Sequence, residues 1–175
     1  PVARRLRAGA VTRLTDNFTL EELTRSQLAS RHGIDNTPRT KWVRENLTHL
    51  AGAILQPVRD RFRRPVIVSS GYRSPELERV LKGKPAGWLS SGQHPKGQAA
   101  DFEVAGIPNR VVAEWIRDEL DFDQVILEFY DPADPAAGWV HCSAVRPNRG
   151  QALTAARSPQ GGTVYNYGLP GEPAP

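Results

Sequence analysis

The chain predicts an α+β domain: a small, mainly antiparallel sheet flanked by helices. Three observations carry this. Short runs rich in β-branched or alternating residues read as strands: PVIVS from Pro65, the segment around Asp101-Phe102-Glu103-Val104, DQVILEF from Asp123 and WVHCS from Trp139. Two long stretches, Val43 to Phe62 and Pro108 to Leu120, carry apolar residues at helical spacing. The last two strands are joined by the turn-rich YDPADPAAG, so they form a hairpin-like unit. A length of 175 residues fits one domain with a sizeable core, expected over residues 18–150, with a basic arm at 1–17 and an extended tail at 151–175.

The elements follow in order. The arm carries Arg4, Arg5, Arg7 and Arg13 and no apolar run long enough for a signal peptide. No aromatic residues interleave with these arginines, so nucleic acid is not an obligate partner. Thr19 with Glu22 makes a capping box, Phe18 with Leu23 the matching hydrophobic staple, and Gly33 ends that helix. His32 falls in its last turn, where a cationic side chain suits the helix dipole. A second helix is expected from Thr37-Pro38, its stripe running through Val43, Leu47, Leu50, Ile54, Val58 and Phe62. Pro57 should kink or split it near Leu55.

The strand from Pro65 delivers Gly71-Tyr72-Arg73-Ser74, and Pro75 opens a short helix. Arg73 sits in the turn between them, where its guanidinium can grip a carboxylate or close a structural salt bridge. The loop KGKPAGWLSS brings Trp88, as a lid on the core or as a substrate wall. From Arg146 onward apolar periodicity vanishes, and residues from Gln160 read as an extended, poorly ordered tail.

The chemistry concentrates in GQHPKGQAAD. His94 and Asp101 are borderline-hard ligands suited to a divalent ion such as zinc, although for the pair alone a loop hydrogen bond is the plainer explanation. A catalytic zinc takes a third protein ligand, and His141, central in WVHCS, is the candidate. Cys142 should point away from that face as a small core residue. Being the one cysteine, it excludes an internal disulfide. Net charge +4 and a pI near 9.6 favour anionic partners, and no stretch approaches a membrane span.

SSGYRS, QHPKGQAADF and WVHCS occur in the order and rough spacing of the zinc D-alanyl-D-alanine carboxypeptidases and L-alanyl-D-glutamate endopeptidases. The chain resembles this family, which includes phage endolysins, from Phe18 to Val145. The resemblance implies a hedgehog/DD-peptidase fold and zinc held by His94, Asp101 and His141. It also implies hydrolysis of peptidoglycan stem peptides, with Arg73 as a catalytic residue that orients the substrate or stabilises developing negative charge; Trp88 and Trp139 are the further candidates for substrate contact. With no signal peptide visible, a monomeric phage lysis or virion protein acting on the bacterial wall is expected. One departure matters. Many relatives carry an acidic residue three positions before the second histidine, and here that position is Gly138. Glu128, an isolated carboxylate in an apolar strand, is the preferred general base, ahead of Glu103, Asp131 and Asp134.

Overall fold

The computed structural model describes residues 11–134 and 136–171. Arg4, Arg5 and Arg7 of the expected arm lie outside them. The later part of that arm folds back: Arg13 bridges Thr19, and Leu14 packs against the core.

The first helical region is two helices, α1 (Leu20–Thr24) and α2 (Gln27–His32). Both ends were legible. The Thr19 side chain accepts from the Glu22 N–H, and Gly33 closes α2 in the left-handed conformation. The break between them was not foreseen. Arg25 is extended, and Ser26 restarts the helix by accepting from the Ala29 N–H. Helix α3 (Lys41–Leu50) begins later than Thr37-Pro38, because Thr40 caps it through the Val43 N–H. A π-turn at Ala51–Leu55 then leads into α4 (Gln56–Phe62). The wider turn sits just ahead of Pro57, which has no N–H to give the helical ladder.

The remaining elements are β1 (Val66–Ser70), α5 (Pro75–Leu81), a 3-10 turn at His94–Lys96, β2 (Ala99–Val104) and α6 (Asn109–Glu119). Strands β3 (Gln124–Glu128), β4 (Trp139–Ser143), β5 (Gln151–Arg157) and β6 (Thr163–Tyr167) follow. The sheet corrects the expectation of a small, mainly antiparallel one. It has six strands in the order β1-β2-β4-β3-β5-β6 and is mixed, since β5 runs parallel to β3. Both of its last two strands come from the stretch expected as an extended tail, and β6 from the part of it, beyond Gln160, expected to be poorly ordered.

Alternation along the strands divides the sheet into two faces. Phe102, Val125, Leu127, Val140 and Cys142 enter the main core with Leu47, Ile54 and Val112 from the helices. Helix α6 packs on β3 and β4. Cys142 is fully buried there, as its strand position predicts. The opposite face carries Asp101, His141 and Glu128.

Candidate metal centre

Asp101 and His141 are direct partners in the antiparallel pairing of β2 with β4. Opposed residues share a face, so the two side chains meet without help from any loop. His94 joins them from the 3-10 turn ahead of β2. Their ligand atoms all lie within 4.8 Å of one another, and all three residues are buried. Asp101 Oδ1 is 3.3 Å from His94 Nε2 and 2.8 Å from His141 Nδ1. Two donors on a tetrahedral zinc, each about 2 Å from it, sit about 3.3 Å apart, so the donor set fits that ion. Three protein ligands leave the fourth position open, the pattern of a catalytic site. Burial alone would raise the Asp101 carboxyl. The His94 charge and hydrogen bonds from both histidines more than offset it, holding the group far below the usual range.

The SSGYRS stretch builds the wall behind these ligands, each residue by a different route. A bulge between Val68 and Ser70 shifts the register and sets Ser70 opposite Asp101. The Ser69 hydroxyl donates to the Asp101 carbonyl, 3.1 Å. Gly71 lies so close to α1 that a Cβ there would come within 2.3 Å of the Leu23 carbonyl oxygen, so no other residue fits. That approach lets the Gly71 carbonyl stand 2.7 Å from His94 Nδ1. A proton on Nδ1 donates to it, which turns Nε2 toward the metal position. Tyr72 is buried in the core, and Ser74 caps α5 through the Leu77 N–H. Arg73 Nη2 donates to Asp101 Oδ2 at 2.5 Å, Nε to Ser70 Oγ at 2.8 Å, and Nη1 to Glu78 Oε2 at 3.4 Å.

The donors open into a cavity of about 840 Å³. Glu128, Trp139 and Tyr165 line it, with Ile126 and Leu153 as apolar wall and Arg73 and Glu78 beside the donors. Glu128 stands opposite Trp139 in the β3–β4 pairing, while Ile126 is the residue directly opposite His141. Glu128 is thus a diagonal neighbour of His141 on the same face. Burial raises its carboxyl above the ordinary range, and the Asp101 charge adds to the rise. The other acids weighed for its role stand elsewhere. Glu103 and Asp134 line a separate cavity of about 470 Å³, and Asp131 is exposed and lines neither. Trp88 is half-buried on its loop and is not among the residues lining the metal cavity.

Gly138 explains the departure at the position before the second histidine. Its φ is +73°, and a Cβ there would lie 1.9 Å from the Glu128 carbonyl oxygen. A carboxylate cannot be mounted on this backbone.

Among the cavity residues that sequence reasoning missed, Glu78, Asp123 and Tyr165 matter most. Glu78, 3% exposed, looks like a surface acid of a short helix until Arg73 is seen against it. Asp123 is fully buried and accepts from Gln93, Ser143 and Arg149, tying the residue before His94 to the sheet. Tyr165 lies in a strand that carries no apolar pattern.

A buried His–Asp–His donor set on one face of a sheet, open on its fourth side to a large cavity, defines a metallohydrolase centre. Residues 16–143 match the family model of peptidase M15, and the chain belongs to that family. It is a zinc metallopeptidase, and His94, Asp101 and His141 form the group suited to hold the ion. No curated protein matches the chain.

Proposed function

We propose that the protein hydrolyses amide bonds in peptidoglycan stem peptides, as a D,D-carboxypeptidase or an L-alanyl-D-glutamate endopeptidase, with Glu128 as general base. The observation that carries this is Glu128 itself: an acid raised by burial, in the wall of the cavity onto which the three donors open. Zinc held by those donors supplies a Lewis acid that acidifies water and polarises the scissile carbonyl. Glu128 takes a proton from the attacking water as the C–O bond forms. It returns that proton to the departing amine as the C–N bond breaks. Trp139, Ile126 and Leu153 bound the substrate, and the cavity volume suits a short peptide. A basic monomer with a hedgehog/DD-peptidase-type fold, serving phage lysis or a virion at the bacterial wall, completes the reading.

Digestion of purified peptidoglycan, followed by mass spectrometry of the muropeptides, tests it. Turnover should stop with chelator and return with zinc. Glu128→Gln keeps the shape and removes the base, so turnover should fall by roughly 100-fold or more with zinc content unchanged. A Glu128→Gln variant as active as wild type removes Glu128 from the role. Gly138 favours a second reading, a zinc-bearing wall-binding module without turnover. Retention on peptidoglycan with no soluble products from the zinc-loaded protein would decide for it.

A further inference from the structure

We infer that Arg73, braced by Glu78 and Ser70, is a positioning residue for the metal centre: it holds Asp101 Oδ2 so that Oδ1 alone faces the two histidines. This rests on the reading of His94, Asp101 and His141 as metal ligands. It differs from the sequence expectation, in which Arg73 grips the substrate.

The two oxygens of Asp101 have separate partners. Oδ1 lies beside His94 Nε2 and His141 Nδ1, and Oδ2 accepts from Arg73 Nη2. The terminal torsion of an aspartate is soft and roughly two-fold, so an unrestrained carboxylate can present either oxygen, or both, to an ion. A charge-assisted bond from a guanidinium removes that freedom. The guanidinium is itself fixed at its other two nitrogens. Nε is tied to Ser70 Oγ, which the β1 bulge sets opposite Asp101, and Nη1 faces Glu78 on α5. Its side chain is only 18% exposed, and that of Glu78 is 4%. Three of the five N–H groups of Arg73 therefore point into the protein, toward groups that fix its plane.

Charge points the same way. Asp101, Arg73 and Glu78 form a carboxylate–guanidinium–carboxylate series with one net negative charge beside the ion. A lone Asp101 would be a less directed donor, free to turn either oxygen toward the histidines. Glu78 is the part of the series that no substrate contact would need. It is buried at the edge of the cavity, and its one ion pair among the described residues is with Arg73. A guanidinium meant for the substrate gains nothing from a buried carboxylate holding one of its nitrogens. One meant to stay in place does.

The test is the zinc affinity of the free protein, read by competition with a chromogenic chelator, so it needs no substrate. Arg73→Ala alone would strand the buried Glu78 charge and risk misfolding. The comparison is therefore Arg73→Ala with Glu78→Gln against Glu78→Gln alone, and Arg73→Lys against wild type. The double variant should bind zinc about 10- to 100-fold more weakly than Glu78→Gln. Arg73→Lys keeps the charge without the fork, and should also bind more weakly than wild type. Unchanged zinc affinity in both comparisons, with only the KM for stem peptides raised, would overturn the inference and return Arg73 to the substrate. Zinc bound tightly by wild type but no peptidoglycan turnover would sink the peptidase reading and leave this one standing. A wild-type chain that binds no zinc would end both.

Discussion

Gly138→Ala isolates one feature of the centre that can be calculated. The residue closes the β3–β4 connection with φ +73°, next to Phe129, which also has a positive φ of 54°. Placing an L side chain in the left-handed region costs about 1–2 kcal/mol. The new Cβ would also sit 1.9 Å from the Glu128 carbonyl oxygen and 2.8 Å from the Phe129 carbonyl carbon. Both are backbone atoms, so no side chain can swing aside. The end of β3 must shift, at about 1–3 kcal/mol by analogy with overpacking. The sum is about 2–5 kcal/mol, a large share of the 5–15 kcal/mol that about this size of domain commands. In thermal unfolding of the metal-free protein that is a fall of roughly 4–20 °C. A variant melting within about 2 °C of wild type would refute the steric argument. The acid position of the relatives would then be open to this chain. As a functional companion, Gly138→Glu should not rescue Glu128→Gln, because the carboxylate cannot be placed without displacing the strand that carries the base.

Other expectations concern the ion and two buried groups. His141→Ala should abolish stoichiometric zinc, read by elemental analysis after gentle purification, whereas His32→Ala, in the last turn of α2, should leave it unchanged. Cys142 is fully buried and burial pushes its thiol up, so a disulfide reagent should label it only after denaturation. Burial would raise the Asp123 carboxyl, but bonds from Arg149, Gln93 and Ser143 bring it from 3.8 down to about 2. A depressed carboxyl stabilises the fold above its unfolded pKa, and that stability is lost as pH falls through the folded value. Asp123 should therefore contribute about 2 kcal/mol at neutral pH that fades between about pH 4 and pH 2. Urea unfolding should show the stability gap between wild type and Asp123→Asn narrowing across that window, and a gap independent of pH would refute the assignment.

How much of this was legible in the sequence depended on how local each signal was. The ends of the first helical region were readable because Thr19, Glu22 and Gly33 act within a turn of themselves. Its break was not, because Ser26 reads as an ordinary polar helix residue until its cap is seen. The donor set was readable because two strands carry it in register and the third ligand lies in the turn just before one of them. Strands β5 and β6 were missed for a physical reason. Every residue of β6 is exposed, so it has no buried face to leave an apolar period. Strand β5 buries only Leu153 and Ala155, and the rest of it mixes alanines with Gln151, Thr154 and Arg157, so no apolar period shows. Glu78 was invisible because its burial is made by another element.

The mixed sheet also accounts for the location of the chemistry. Helices cover one face and supply the hydrophobic core, so the strands are held whatever stands on the other side. That other face is then free to carry costly groups: a buried aspartate between two histidines, a raised glutamate, and an arginine with its own buried acid. Each is supported from a different direction. Gly71 backs His94 through its carbonyl, Arg73 holds Asp101, and Asp123 ties Gln93, the residue before His94, to β4 and Arg149. The residue that separates this chain from relatives with an acid before the second histidine, Gly138, sits where β4 begins and the backbone passes closest to Glu128. A glycine turn at that point leaves no room for a carboxylate there, which is why the proposed base is sought on β3. The two features are linked in the proposal: with no side chain possible at Gly138, Glu128 on β3 is the raised acid left in the cavity wall.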